Sequence, residues 1–204
     1  MTDWGEFLQD LAYEQYMEEQ YLEQIAEEGV EKFSRGRLQA YYRENPDVAR
    51  RALDALQVAE SLVVLSPSAS LVFAAVSLEL TVKNVLLHPL VVGLVHNEAV
   101  ASFVAQYAIG KGGASRFESL LRQLLNELAD VDLTAYCRVG QSTPIAREVS
   151  CVVRLRNDVL HEGGTAAPDD AQSALQVARA MLFDVFPKVI RALDMTVDDE
   201  LMVI

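Results

Sequence analysis

Residues 143–164 read TPIAREVSCVVRLRNDVLHEGG, and this stretch decides the fold class. Thr143-Pro144 supplies a helix start, because proline presets φ and lacks an N–H that a first helical turn does not use. Val149, Val152, Val153 and Leu155 then recur at close to the helical period, and the run continues to His161. Gly163-Gly164 follows, the residue type that most readily adopts the left-handed conformation which stops a helix. A start, a periodic apolar face and a stop therefore sit in one uninterrupted segment.

Working outward, the same signals repeat. Pro168 with Asp169 and Asp170 opens a last long helix to about Leu193, with its acids at the positive end of the dipole. Ser115 caps a helix to about 129 that carries Phe117, Leu120, Leu121, Leu124, Leu125 and Leu128 on its buried side, and Asn97-Glu98 opens another to about 109. Gly110-Lys111-Gly112-Gly113 lies between those two. It lacks a preceding strand and phosphate-loop spacing, so it reads as a connector. Ser66-Pro67-Ser68 begins a helix over 67–87, closed by His88-Pro89. Asn45-Pro46-Asp47 marks a boundary, with Asn45 as cap of a helix over 46–65 bearing Val48, Ala52, Leu56, Ala59 and Val63. No alternating strand pattern and no internal repeat is visible. The expectation is an all-α, up-and-down helical bundle over 46–195, an acidic helical arm over 1–45 and an acidic, apolar tail over 196–204.

Half of the chain, 51%, is hydrophobic, enough to build a buried core in 204 residues. Met1-Thr2-Asp3-Trp4-Gly5-Glu6 has neither the basic start nor the apolar core of a secretory signal. The most apolar stretch, Leu71 to Val95, is broken by Glu79, Lys83, Asn84, Pro89 and Gly93, which predicts a core helix and no membrane partner. Cys137 and Cys151, the two cysteines, are expected as small core residues in a reducing, cytoplasmic compartment.

The formal charge of −13 is unevenly placed. Residues 1–31 hold ten acids and no base, and residues 194–204 hold four acids and no base. The stretch between them has all seventeen bases against sixteen acids, so the acidic total does not exclude a nucleic-acid partner there. The arm itself, with Phe7, Leu8, Leu11, Leu22, Ile25 and Phe33 as its apolar stripe, reads either as a helix packed on the body or as a segment covering a basic groove.

The chemistry-bearing constellation is Arg156-Asn157-Asp158-Val159-Leu160-His161. On a helix Arg156 and His161 stand about 140° and roughly 7.5 Å apart, while Asn157 and His161 share a face. The long Arg156 side chain can reach round to that face. An imidazole at the open end of a helix can give or take a proton. A forked guanidinium beside it can hold phosphate oxygens. Spacing alone is equally compatible with a surface arginine and a capping histidine.

The run resembles the signature of the HEPN superfamily (higher eukaryotes and prokaryotes nucleotide-binding domains): an Arg, four to six residues, then a His, often with a polar residue directly after the Arg. Asn157 fills that polar position. A second family feature, Glu, three residues, then Lys on an earlier helix, is matched by Glu79-Leu80-Thr81-Val82-Lys83. The resemblance covers about residues 46–193. It implies a helical bundle that dimerises so that two Arg/His motifs face one cleft. The implied activity is a metal-independent endoribonuclease giving 2′,3′-cyclic phosphate ends, acting in defence or as a toxin with a protein antitoxin or regulator. His161 would be the proton-transfer group, Arg156 the phosphate-binding cation and Asn157 the orienting residue. Glu79 and Lys83 are either supporting site residues or an i,i+4 ion pair that steadies the bundle. Gly163 stands where some toxin relatives carry a modifiable Tyr.

His88 and His96 lack paired ligand spacing, so neither a metal nor a cofactor is expected, and both read as cap or surface residues. Beside the ribonuclease stands an alternative: a non-catalytic module of the same fold binding nucleotide, RNA or protein.

Overall fold

The computed structural model describes residues 35–89, 92, 125–126 and 129–204. Residues 1–34 of the expected arm, the helices over 97–109 and 115–129, the 110–113 connector and His96 lie wholly or largely outside the described residues. By its contacts the chain divides into two units, Met1–Arg37 and Leu38–Ile204. The second unit contains a helical segment α1 (38–44), α2 (Arg50–Leu62), α3 (Pro67–Leu80), α4 (Ile145–His161), α5 (Pro168–Ala180) and α6 (Phe186–Ala192). Two π-helical segments, π1 (Thr81–Leu87) and π2 (Met181–Val185), extend α3 and join α5 to α6. There is no strand among the described residues, only isolated bridges Cys137–Pro144 and Val197–Val203. The all-α expectation holds.

α3 is the centre of the unit and packs on α2, α4 and α5. Small residues let α2 and α3 approach closely. Ala52 and Ala59 face Ser77 and Ser70, and each serine hydroxyl donates to the facing alanine carbonyl, Ser70 to Ala59 and Ser77 to Ala52, both at 2.7 Å. The seven-residue repeat on both helices places these two bonds two turns apart, so they fix the register of the pair. The continuous helix Pro67–Leu87 is long and apolar enough to cross a membrane by length and composition, yet 61% of its apolar window is buried within the bundle.

Both π segments end directly before an X-Pro step, His88-Pro89 and Phe186-Pro187. A proline inside a helix removes one N–H donor and crowds the carbonyl four residues back, and widening the turn relieves that crowding. For Pro89 that carbonyl belongs to Val85. The buried Tyr42 hydroxyl donates to it at 2.8 Å, supplying the donor that proline cannot. Burial raises the Tyr42 phenol well above its usual range, so it stays protonated as a donor. Tyr42 also lies against Phe186, and π1 touches π2, so the two widened turns meet in the core.

Three local expectations need correction. Asn45 does not cap α2. Residues 46–49 form a turn, α2 starts at Arg50, and the Asn45 amide donates backward to the Tyr41 carbonyl at 2.9 Å, satisfying the end of α1. Cys151 is exposed on α4 and Cys137 is half-buried, and neither forms a disulfide. His88 is no cap. It is half-buried, its Nδ1 lies 2.9 Å from the Tyr41 hydroxyl, and burial lowers its pKa. The tail is held to the body: Val203 donates to the Pro46 carbonyl, and Met195, Leu201 and Val203 are buried.

Candidate functional site

α4 begins after Pro144 and ends at His161, within one residue of the sequence expectation at each end. Gly163 adopts φ +69°, and the Gly164 N–H turns back to the Asp158 carbonyl at 3.1 Å. A Cβ at Gly164 would lie 3.2 Å from that carbonyl oxygen, so the chain folds tightly over the helix end. The turn leaves His161 exposed in the last helical position, with no hydrogen-bond or ion-pair partner among the described residues.

Arg156 points the other way, toward α3. Its Nη2 donates to Glu79 Oε2 at 3.0 Å and its Nη1 to Asn157 Oδ1 at 3.1 Å. The other Glu79 oxygen, Oε1, is held by the Lys83 ammonium. The two sequence motifs, 77 residues apart from Glu79 to Arg156, thus meet in one polar row: Lys83, Glu79, Arg156, Asn157. The side chains of Lys83, Arg156 and Glu79 retain 18%, 24% and 36% of their exposure, so the row lies at the surface of the α3–α4 seam and water and solutes reach it.

The choice between an i,i+4 pair and a site group for Glu79 and Lys83 changes with this contact. They do form the i,i+4 ion pair, and Glu79 also crosses to α4 to position the motif arginine. Such a half-exposed bridge contributes little to stability after solvent screening, on the order of 0–1 kcal/mol. Two cations on one carboxylate leave the row with an excess positive charge. Arg156 does reach round to Asn157, and Asn157 sits one turn before His161 on the same face, about 6 Å away. Asn157 therefore bonds the guanidinium and stands one turn from the imidazole, with no hydrogen bond to His161 among the described residues.

Three other arginines are committed to carboxylates: Arg50, Arg138 and Arg179. Arg138 makes a forked pair with Glu148, at 2.7 and 2.6 Å, and also reaches Gln176, stapling the 131–144 segment to α4 and α5. The hydrogen bonds to Glu148 raise its pKa further. A cavity of about 360 Å³ lies apart from the motif, lined by Arg50, Glu60, Arg179, Phe183 and Glu200 among others. Its cations are taken up by carboxylates, Arg179 by Glu60, and Arg50 by Asp54 and Glu200, which leaves no reactive group in it. Among the described residues no cluster of His, Cys, Asp and Glu has the makings of a metal centre.

Sequence spacing missed two things. It did not show that Glu79 is the residue Arg156 binds, because contacts between helices leave no trace in spacing along either. It also passed over Arg147 and Arg154, which precede His161 by fourteen and seven residues on α4. Comparison with protein-family models, with curated proteins and with solved structures finds no match for this chain.

Proposed function

We propose that this chain is a metal-independent endoribonuclease of the HEPN type, working as a homodimer in the cytoplasm as an RNA-cleaving effector of a defence or toxin–antitoxin system. The observation that carries the reading is the meeting of the two motifs, with Arg156 held between Glu79 and Asn157 one turn from an exposed, unpartnered His161. Chance motifs on separate helices have no reason to join.

In the reaction, the imidazole of His161 takes the proton of a ribose 2′-hydroxyl. The 2′-oxygen attacks the adjacent phosphorus and the bond to the 5′-oxygen breaks. That leaving oxygen takes up a proton, giving a 5′-hydroxyl end and a 2′,3′-cyclic phosphate. Arg156 offsets the charge that builds on the non-bridging oxygens, and Glu79, itself paired with Lys83, keeps its guanidinium aimed until the phosphate takes its place. One chain offers one such histidine, and a two-fold axis would supply a second, so that base and acid come from different protomers. Support for pairing comes from the apolar flanks of the polar row. Phe73 and Val76 on α3 and Leu160 on α4 are exposed large hydrophobics, and Val153, Arg156 and Leu160 lie along one side of α4. The free thiols of Cys137 and Cys151 fit a reducing compartment.

One observation favours a second reading, a non-catalytic module that binds nucleotide, RNA or protein. Arg156 already has a carboxylate partner in Glu79, as a purely structural arginine would. Incubation with mixed RNA and excess chelator separates the two. The parent should cut, whereas Arg156→Ala and His161→Ala should each lose about 10²–10⁴-fold of the rate with melting unchanged. An inactive parent, or variants that cut like the parent, would exclude the catalytic role.

A further inference from the structure

Helical phase puts Arg147, Arg154 and His161 on one line. Their intervals are seven residues each, so successive side chains drift by only about 20° around α4, and the line is roughly 21 Å long. All three are exposed. Among the described residues Arg147 has no hydrogen-bond or ion-pair partner, and Arg154 touches only Cys151 Sγ, at 3.6 Å. This contrasts with Arg50, Arg138, Arg156 and Arg179, each of which is paired with a carboxylate. Arg43, Arg51 and Arg191 are also exposed without such a partner among the described residues, but stand singly on α1, α2 and α6. Of the described helices, α4 alone lines up two unpaired guanidinium groups with the motif histidine.

Of the acids near the line, none pairs with Arg147 or Arg154. Glu148 is turned aside and held by both forks of Arg138. Asp158, on the line between Arg154 and His161, forms no ion pair with Arg154, and Glu162 stands at the end beside His161. Ser150 and Asn157 flank the line with polar, uncharged side chains.

We propose that the outward face of α4 is the track for a single RNA strand, with Arg147 and Arg154 binding phosphates upstream of the linkage presented to His161. The inference rests on the RNA-cleaving reading and names the substrate-binding residues for it. The line, roughly 21 Å long, is long enough to hold several linkages of an extended strand. A single strand fits because the attack on phosphorus needs a backbone free to turn its 2′-oxygen in line, which a paired helix restrains. Arg147 and Arg154 are binding residues and take no part in the proton transfers.

The test is binding of a fluorescein-labelled, 2′-O-methylated twelve-nucleotide oligouridylate to the full chain, across a salt series. The methyl groups block the cleavage chemistry, so affinity is read alone. Arg147→Gln with Arg154→Gln should lower the slope of log affinity against log salt by about 1.4, at about 0.7 for each phosphate no longer neutralised. The same change raises Kd roughly 25-fold at about 0.1 M salt and fades toward about 1 M. Arg191→Gln should change neither. If the double variant keeps the parent's Kd and slope, the track is wrong while the nuclease reading stands. A parent that binds no RNA overturns both readings. A parent that binds through these arginines yet leaves unmethylated RNA intact keeps the track and removes the nuclease.

Discussion

α4 and α5 are neighbours in the sequence and touch in the fold, yet they are built to different ends. Of thirteen residues in α5, Ala171, Ala174, Leu175, Val177, Ala178 and Ala180 are buried, a wide stripe that closes the core against α3. Of seventeen residues in α4, only Ile145 and Val152 are buried, with Val149, Leu155 and Val159 packed part-way. A helix that long with so little burial rests on its part-buried side, with a charged contact near each end. Arg138 grips Glu148 near the start and Glu79 grips Arg156 near the finish. The lesson is that a helix freed from core duty can present polar groups along its length, and α4 carries the histidine, the motif arginine and the unpaired cations.

If that contrast is real, matched truncations should split widely. Leu175→Ala, in the buried stripe of α5, should cost about 2–5 kcal/mol in chemical denaturation. Cys151→Ala, exposed on α4, should stay within about 0.5 kcal/mol. Equal losses would show that α4 is core after all. A smaller effect sharpens the picture at the π segments. Tyr42→Phe keeps the ring and removes the donor to the Val85 carbonyl, so it should cost about 1–3 kcal/mol, and a change below about 0.5 kcal/mol would mean another donor serves that carbonyl.

The smallest effect expected is a pH dependence, and it belongs to the core side of the comparison. Burial lowers the pKa of His88 from 6.5. Between that lowered value and 6.5 the unfolded chain binds more protons than the folded one, so folding stability rises with pH across that window. Stability from the neutral ring is fully present above 6.5 and is lost as acidification proceeds below it. Melting temperatures taken from about pH 7.5 down to about pH 5.5 should fall for the parent, and fall less for His88→Phe.

Element spans were legible wherever proline, glycine and period coincided, as at Pro67, Pro144, Gly163 and Pro168. The widened turns were not. Apolar residues over 67–87 and 168–193 keep helical spacing whether the turns are α or π, and only the buried environment of Pro89 and Pro187 shows the change. Asn45 misled because an Asn before a Pro is as able to bond the helix behind it as the one ahead. Cys151 misled through its chemistry, since its phase, close to Arg147, already put it outside. The Arg156–Glu79 contact was beyond reach, because it depends on how α3 and α4 cross.

Glu79 can be regarded as a stand-in anion. One of its oxygens holds Arg156 and the other holds Lys83, so the guanidinium is kept oriented while nothing else is bound. A phosphate arriving at Arg156 can exchange for the carboxylate without stranding it, because Lys83 stays behind to neutralise Glu79. The side-chain ordering that binding would otherwise require, roughly 0.5–1.5 kcal/mol for a group as flexible as arginine, is already in place. Glu79→Gln should then leave Arg156 chemically intact but loosely aimed, a defect of aim more than of charge.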